Sequence, residues 1–380
     1  MPLNHTAALA RRVPDRNSLK THTAVEQLKT PAPPPLSGQW EPRARVERCK
    51  RSPRCKSSHM PRSSPSPLTR RSLLGLAGSL LGFAPATRIA SARAASQSAG
   101  SFGSFSFAHL TDIHVTPQLR APEGLRQCIQ AVNALPESTA FVLTGGDLIM
   151  DALEADAPSI REQWACFDEA MQALRFPAHH TIGNHDIGGW SRKAKLPKDA
   201  PEYGKSHFAQ KYGKGTTYRS FDHGGWHFIL LDSVALDHES GDYYGWIDDA
   251  QLEWLKTDLA KAGNRTPIIV STHIPFFSIW GQFTADPRKG EGPKGLVNNA
   301  HLVRKILGSY NVKLVLCGHG HVSERIELSH HNKTTFIQGG AVCGMWWKGK
   351  VAGNPEGFGV VTCHPDGTFA YEYRDFGWVA

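Results

Sequence analysis

Cysteine is scarce in this sequence, and long apolar runs are missing. Seven cysteines are spread over 380 residues without a CxxC pair, which argues against a disulfide scaffold and leaves open one bridge of unknown pairing. The longest apolar run, near residues 73–83, is short and rich in Gly and Ala. It therefore does not predict a stable membrane span in the mature protein. No internal repeat is present.

The excess of positive charge is confined to the start of the chain. The net charge is +9 overall, but residues 1–94 hold 17 Lys+Arg and 4 Asp+Glu, and the rest hold 26 and 30. The remainder is therefore mildly acidic, and no basic stripe interleaved with aromatic residues is present. Direct nucleic-acid binding is not expected.

The first quarter of the chain does not resemble a folded domain. Residues 1–68 are rich in Pro, Ser, Arg and Lys without a sustained apolar period, a composition that predicts a disordered leader. Residues 69–95 resemble a twin-arginine export signal, with Arg70-Arg71 before an apolar run and Ala92-Arg93-Ala94 as a cleavage site. This resemblance implies export to the periplasm or the medium through the twin-arginine machinery.

Such a signal belongs at an N-terminus, yet 69 residues precede Arg70. We therefore hypothesise that translation starts at Met60, just before Pro61-Arg62. An uncleaved anchor is the alternative interpretation of the apolar run.

Short apolar runs alternate with longer amphipathic stretches after residue 104. This pattern predicts stacked α/β layers in one domain, residues 100–380. The predicted strands are 105–110, 141–144, 180–182, 226–231, 267–271 and 312–317, and the predicted helices are 121–135, 160–174, 248–262 and 300–307. Closely spaced runs at 324–328, 334–338, 359–363 and 369–373 predict antiparallel strands flanking a second sheet.

Five clusters of polar residues each follow one of the predicted strands. Loops at the carboxyl ends of strands converge in open α/β folds, so these clusters are expected to form one site. Each residue alone is more often a cap, a turn or a surface group, but the ordered set points to a metal site. The clusters are Asp112-Ile113-His114, Gly145-Gly146-Asp147, Gly183-Asn184-His185-Asp186, Ser271-Thr272-His273 and Gly318-His319-Gly320-His321.

Together these motifs resemble the calcineurin-like metallophosphoesterases over about residues 105–325. The resemblance implies a four-layer α/β/β/α sandwich with a dinuclear metal centre. By motif, Asp112, His114 and His321 would hold one ion. Asn184, His273 and His319 would hold the other, and Asp147 would bridge both. The resemblance also implies that His185 is the catalytic residue, placed beside the leaving group to donate a proton or to stabilise the charge that develops there.

Imidazole and carboxylate ligands suit two divalent ions of Mn, Fe, Zn or Co, and the lack of cysteine ligands disfavours a structural zinc site. The expected reaction is hydrolysis of a small phosphodiester or phosphomonoester by a metal-bound hydroxide. Purple acid phosphatases carry a tyrosine where this chain has Met150, which disfavours that branch. The Gly-Asp and Asn-His motifs look like the branch that includes class III cyclic-nucleotide phosphodiesterases.

Aromatic residues after His273 are candidates for stacking on a substrate, although packing within a loop is an equal alternative: Phe276, Phe277 and Trp280. Two other functions remain as alternatives. One is a non-catalytic interaction module of this fold, which would require lost ligands. The other is a nuclease of the same superfamily, which the acidic body disfavours.

Overall fold

The computed structural model describes residues 103–284, 295–329 and 333–380, all within one compact unit, Ala90–Ala380. The predicted leader, the export signal and Met60 lie outside the described residues. The strands are β1 (Phe105–Leu110), β2 (Thr139–Thr144), β3 (Ala178–His180), β4 (Arg219–His223), β5 (Trp226–Leu230), β6 (Val234–Asp237), β7 (Asp242–Gly245), β8 (Ile268–Ser271), β9 (Val312–Cys317), β10 (Glu324–Glu327), β11 (Thr335–Gln338), β12 (Gly357–Cys363) and β13 (Phe369–Asp375). The helices are α1 (Ala121–Asn133), α2 (Ala157–Gln172), α3 (Ser206–Lys211), α4 (Asp249–Ala262), α5 (Ile279–Thr284) and α6 (Ala300–Leu307), with a 3-10 turn at Asn184–Asp186.

Two mixed sheets form the centre of the fold. The first has five strands in the order β13-β12-β1-β2-β3, and the second has six in the order β10-β11-β9-β8-β5-β4. Strands β1, β2 and β3 run parallel to one another, as do β5, β8, β9 and β11. Because parallel strands place their carboxyl ends at one edge of a sheet, each sheet brings several loops together.

Aromatic side chains fill the space between the two sheets. Phe107 of β1 stacks on Phe141 of β2 with ring centroids 5.0 Å apart, and meets Phe228 of β5 edge-on at 5.6 Å. All three rings are buried in one apolar cluster that holds residues of both sheets. Side chains alternate across a strand, so the intervening residues of β1, Ala108 and Leu110, belong to the other apolar cluster.

Helices cover the outer faces of the sheets. The second apolar cluster, to which Ala108 and Leu110 belong, also contains Leu125 of α1, Phe167 of α2, Leu255 of α4 and Val303 of α6. Helices α2 and α4 both begin at an aspartate whose carboxylate accepts a backbone N–H three residues on, which satisfies an otherwise unpaired donor of the first turn. The predicted four-layer α/β/β/α sandwich is confirmed.

The four C-terminal strands are divided between the two sheets. The sequence predicted instead that all four would flank a second sheet. Strands β10 and β11 pair antiparallel at the edge of the six-stranded sheet. Strand β12 instead pairs antiparallel with β1, and β13 follows it at the edge of the five-stranded sheet. The hairpin β6–β7 and the helices α3 and α5 were not predicted, because their short segments carry little apolar periodicity.

Within the described residues, no helix has the length and apolar character needed to cross a bilayer. Five cysteines lie in the described ranges, and all five are free thiols.

Buried His227 of β5 is held between two carboxylates. Its Nδ1 lies 2.6 Å from Oδ1 of Asp222, and its Nε2 lies 2.9 Å from Oδ2 of Asp258. Burial lowers the pKa of His227, but the two carboxylates outweigh burial and raise it above its usual value. A raised pKa in the folded state means that the stabilisation is complete below the unfolded pKa of about 6.5 and is lost as pH rises through the folded pKa.

We therefore expect His227→Gln to lower the free energy of unfolding most near pH 6, by about 1 kcal/mol, and progressively less towards pH 9. Urea unfolding of the metal-free protein at several pH values measures this difference. His238→Gln, at an exposed position, is the matched control. A destabilisation by His227→Gln that does not change with pH would contradict the ion-pair explanation.

Candidate metal centre

All eight predicted site residues lie in loops at the carboxyl ends of parallel strands. The loops follow β1, β2, β3, β8 and β9, and the loop after β3 forms the 3-10 turn Asn184–Asp186. These strands belong to both sheets, so the site lies where the two sheets present the same edge. The residues are Asp112, His114, Asp147, Asn184, His185, His273, His319 and His321.

Four of the donors form a first cluster. Nε2 of His114 lies 3.1 Å from Nε2 of His321 and 3.4 Å from Oδ2 of Asp147. Nε2 of His321 also lies 3.5 Å from Oδ1 of Asp112. All four side chains are buried, with exposed fractions between 0 and 7%, so the donors converge in a site from which bulk water is largely excluded.

The remaining donors form a second cluster around His273. Its Nε2 lies 3.1 Å from Oδ2 of Asp147 and 3.1 Å from Oδ1 of Asn184. Donor atoms of Asp147, His273 and His319 all lie within 4.8 Å of one another, close enough to hold an ion. Oδ2 of Asp147 thus faces both clusters, the position that a bridging carboxylate requires.

The hydrogen bonds of two histidines leave lone pairs pointing at each other. Nδ1 of His114 faces the carbonyl of Met150 at 3.4 Å, and Nδ1 of His321 faces the carbonyl of Gly344 at 2.7 Å. A carbonyl only accepts hydrogen bonds, so each Nδ1 carries the hydrogen and each Nε2 carries a lone pair. The two Nε2 atoms, 3.1 Å apart, therefore repel each other unless a cation lies between them.

Burial sets the protonation of the other donors. It lowers the pKa of His319 to about 3, so this imidazole is neutral and able to ligate. Burial opposes ionisation of Asp147, but His273 and His185 outweigh it and hold the pKa of Asp147 well below its usual value. Burial likewise lowers the pKa of His273, but Asp147 outweighs burial and raises it to about 9. A metal ion would displace that proton.

Five of the seven predicted ligands have left-handed backbone conformations. This conformation costs a residue with a Cβ atom about 1 kcal/mol or more, and such strained positions concentrate at functional sites. Asn184 and His273 do not share it. The φ angles are 53° at Asp112, 46° at His114, 53° at Asp147, 73° at His319 and 56° at His321.

Two glycines allow the loops to approach so closely. A Cβ at Gly183 would lie 2.2 Å from the backbone N of Asp147, and a Cβ at Gly318 would lie 2.4 Å from Oδ2 of Asp112. The carboxylate of Asp186 joins two loops, because it accepts N–H groups of Asp147 at 3.0 Å and Gly183 at 2.8 Å. Gly183, Gly318 and Asp186 thus fix the relative positions of the loops that carry the candidate ligands.

His185 lies at the rim of the centre. Its side chain is 28% exposed, and its Nδ1 lies 3.9 Å from Oδ1 of Asp151. Its ring packs edge-on against His114 with centroids 4.8 Å apart. Donor atoms of His114, Asp147 and His185 also lie within 4.8 Å of one another, so geometry alone allows His185 to act as a ligand or as a proton donor.

Several residues near the centre were missed by the sequence motifs. Asp151 lies beside His185, and Tyr243 of β7 lies edge-on to His319 at 6.3 Å. Sγ of Cys343 lies 4.0 Å from Nδ1 of His321, and donor atoms of Cys343, His114 and His321 lie within 4.8 Å of one another. Burial raises the pKa of the Cys343 thiol well above its usual value, which disfavours the thiolate that a metal ligand requires. Trp346, for which no site role was predicted, lies 4.8 Å from the ring of His321.

The aromatic residues after His273 do not reach the centre as a group. Phe277 packs against Phe336 of β11 with centroids 4.5 Å apart, and Phe276 packs against the second apolar cluster. Both line a cavity of about 580 Å³ beside α6. Trp280 is exposed on α5, whose first N–H groups are bound by Glu324. The packing interpretation therefore holds for Phe276 and Phe277.

The sequence matches the family described as calcineurin-like phosphoesterase over residues 105–323. Since this match spans more than half of the chain, the protein belongs to that family, as the motifs predicted. The fold agrees with this assignment. A dimetal phosphatase from Danio rerio superposes with a TM-score of 0.52 at 16% identity, covering 72% of this chain and 96% of that one.

Curated relatives include two kinds of enzyme. Purple acid phosphatase 15 of Arabidopsis thaliana is 30% identical over 170 residues, which cover 43% of this chain and 28% of the relative. The 3',5'-cyclic adenosine monophosphate phosphodiesterase CpdA of Escherichia coli K12 is 24% identical over 277 residues, which cover 69% of this chain and 86% of the relative. The chain thus spans less than a third of the phosphatase.

Proposed function

We propose that the protein is a hydrolase of phosphoesters that depends on two divalent metal ions. The observation that carries this proposal is the convergence of buried carboxylate, amide and imidazole donors on two adjacent points, with Oδ2 of Asp147 common to both. The paired lone pairs of His114 and His321 support a cation at the first point. No ligand of the family motif is missing, which argues against a non-catalytic module.

The donor set fits the ions inferred from the sequence. Asp112, His114, His321 and Asp147 would hold one ion, and Asn184, His273, His319 and Asp147 the other. Nitrogen and oxygen donors without a thiolate suit Mn, Fe, Zn or Co. When bound, such ions polarise phosphoryl oxygens and lower the pKa of water so that it attacks phosphorus at neutral pH.

The remaining chemistry belongs to the chain itself. Asp147 and Asp112 bring negative charge that balances the ions, and the buried donors exclude bulk water from the reacting centre. His185, exposed at the rim, would hold a proton for the oxygen of the leaving group. Asp151, whose Oδ1 lies 3.9 Å from Nδ1 of His185, is the carboxylate beside this imidazole.

Both phosphodiesters and phosphomonoesters are candidate substrates. The mixed names of the relatives motivate a panel that contains bis-(4-nitrophenyl) phosphate, 4-nitrophenyl phosphate and 3',5'-cyclic AMP. Met150 stands where purple acid phosphatases carry tyrosine, and its half-buried side chain packs against the core. This position supports a diesterase-like enzyme over a purple phosphatase.

Metal removal is expected to lower the turnover of at least one of these esters by a hundredfold or more, about the effect of losing several kcal/mol of transition-state stabilisation. The measurement is the initial rate before and after EDTA treatment, and again after EDTA is removed and Mn(II) is added. Restoration by Mn(II) is the positive control. If none of the three esters is hydrolysed in an EDTA-sensitive way, the proposal is wrong.

We also propose that the protein is exported through the twin-arginine machinery and works outside the cytoplasm. The support is the sequence of residues 69–95, with its paired arginines and small residues at the cleavage point. Replacing Arg70 and Arg71 by Lys should retain the protein in the cytoplasm. Cell fractionation with N-terminal sequencing of the exported form tests this location and the start of the chain together.

A further inference from the structure

The indole ring of Trp346 lies at the open side of the first ligand cluster. Its centroid is 4.8 Å from the ring of His321 and 6.2 Å from the ring of His114. The residue remains 39% exposed, so part of the indole surface is free of protein contacts. A large apolar ring with a free surface next to reacting groups is available to a substrate.

The turn that carries Trp346 is fixed by the next residue. Trp347 is 2% exposed, and its Nε1 donates a hydrogen bond to the carbonyl of His114 at 3.0 Å. Its ring meets Trp378 edge-on at 5.9 Å. Because His114 is itself a proposed ligand, this bond ties the position of Trp346 to the metal centre.

The backbone of the turn is strained at both tryptophans. The φ angle is 49° at Trp346 and 65° at Trp347, a conformation that costs a residue with a Cβ atom about 1 kcal/mol or more. Burial and a hydrogen bond offset this cost for Trp347. At Trp346 the exposed ring recovers less, so packing alone does not explain why a bulky aromatic residue occupies a strained position beside the centre.

Trp346 and His185 lie near the same ligand. The His185 ring contacts His114 at 4.8 Å, and the Trp346 ring lies 6.2 Å from it. If His185 protonates the leaving group, that group lies beside His114, the residue that the indole also approaches. An indole recognises a planar ring by stacking, whichever atoms the ring carries.

We propose that Trp346 is a specificity-determining residue that stacks on the leaving group, so that the site favours phosphoesters whose leaving group carries a planar aromatic ring. This inference rests on the proposed phosphoesterase function. The ring can come from a nucleoside or from an aryl alcohol, and two pairs of probes separate these sources.

The test compares ligands that differ only in the ring. Adenosine 5'-monophosphate is paired with ribose 5-phosphate, and phenyl phosphate with cyclohexyl phosphate, as competitive inhibitors of nitrophenyl ester hydrolysis by the Mn-loaded protein. We expect the aromatic member of at least one pair to bind about ten to a hundred times more tightly. A preference in the first pair alone identifies a nucleoside, and a preference in both identifies a general aromatic ring.

Trp346→Ala should abolish this preference without changing the inhibition constant of ribose 5-phosphate, and Trp346→Phe should retain most of it. Met345→Ala is the matched control, because Met345 adjoins Trp346 in the turn and is equally exposed at 39%. Metal content and melting temperature should be unchanged in all three variants. Quenching of tryptophan fluorescence by the bound adenine, lost in Trp346→Phe, provides a readout that does not depend on turnover.

Three results would overturn the inference. The first is no aromatic preference in the wild-type protein, and the second is a preference that survives in Trp346→Ala. The third is an equal loss of the preference in Met345→Ala, which would assign the effect to the conformation of the turn. Failure of the phosphoesterase proposal is distinct, since it appears as the absence of EDTA-sensitive hydrolysis. Fluorescence titration with adenosine 5'-monophosphate still tests stacking on Trp346 in that case.

Discussion

Asp147→Asn is expected to reduce bound metal from two ions per chain to one or fewer and to lower kcat by at least about a thousandfold. The reason is the position of Oδ2 of Asp147, which lies 3.4 Å from Nε2 of His114 and 3.1 Å from Nε2 of His273. One charged oxygen serves both donor clusters. An amide in its place removes that charge and can turn an N–H₂ group towards the ions.

The substitution keeps one contact of this carboxylate and breaks another. Oδ1 of Asp147 accepts the backbone N–H of His185 at 2.8 Å, and an asparagine oxygen can accept the same bond. However, the substitution also breaks the buried pair of Asp147 with His273, in which each group favours the charged form of the other, and losing one partner of such a pair is destabilising. We therefore expect the metal-free variant to have a lower melting temperature than the metal-free wild-type protein, and metal content is compared at a temperature where both are folded.

Metal content by mass spectrometry, together with the initial rate on bis-(4-nitrophenyl) phosphate, measures the effect of Asp147→Asn. The matched control is Asp258→Asn. Asp258 lies on α4, is 13% exposed, accepts a hydrogen bond from Ser220 and pairs with His227. The control should keep both metals and its activity. Two ions per chain in Asp147→Asn would contradict the bridging role.

Sequence predicted the central strands well, because strands buried on both faces require continuous apolar runs. Strand β1 occupies Phe105–Leu110 and β9 occupies Val312–Cys317, the ranges that the apolar runs indicate. Five of the six residues of each strand are buried. The runs also locate the carboxyl ends, which is why short motifs after each run predict candidate ligands that the fold brings together.

Strand partners could not be predicted in the same way. The apolar pattern of β12 (Gly357–Cys363) does not encode that it pairs with β1 rather than with the preceding β11. Pairing depends on contacts between residues about 250 positions apart, such as Phe105 with Cys363, and local patterns carry no information about them.

The surroundings of the ligands escaped prediction for a related reason. Trp346 follows a glycine-rich segment without metal-binding spacing, and only the folded turn places it beside His321. Asp151 reaches His185 through space, 34 positions away in the sequence. Motifs identify residues that must bind an ion, whereas residues that position a ligand or a substrate are recognised only from the geometry.

His185 presents the sharpest test of the proposed chemistry, because two roles are compatible with its position. Its donor atom is close enough to His114 and Asp147 to share an ion. However, its side chain is 28% exposed and faces Asp151, whereas six of the seven proposed ligands are buried and only His319 shares its intermediate exposure. Exposure and a carboxylate neighbour suit a group that transfers protons with a substrate.

We therefore expect His185→Ala to retain both metal ions while kcat falls by about a hundredfold to ten-thousandfold, the usual contribution of a general acid. The loss should be greater for a substrate with an alkyl leaving group than for a nitrophenyl ester, because nitrophenolate departs without a proton. Metal analysis and the rates on these two esters test both points. If metal content falls along with activity, or if both esters slow equally, His185 is a ligand or a structural residue and the proton must come from another group.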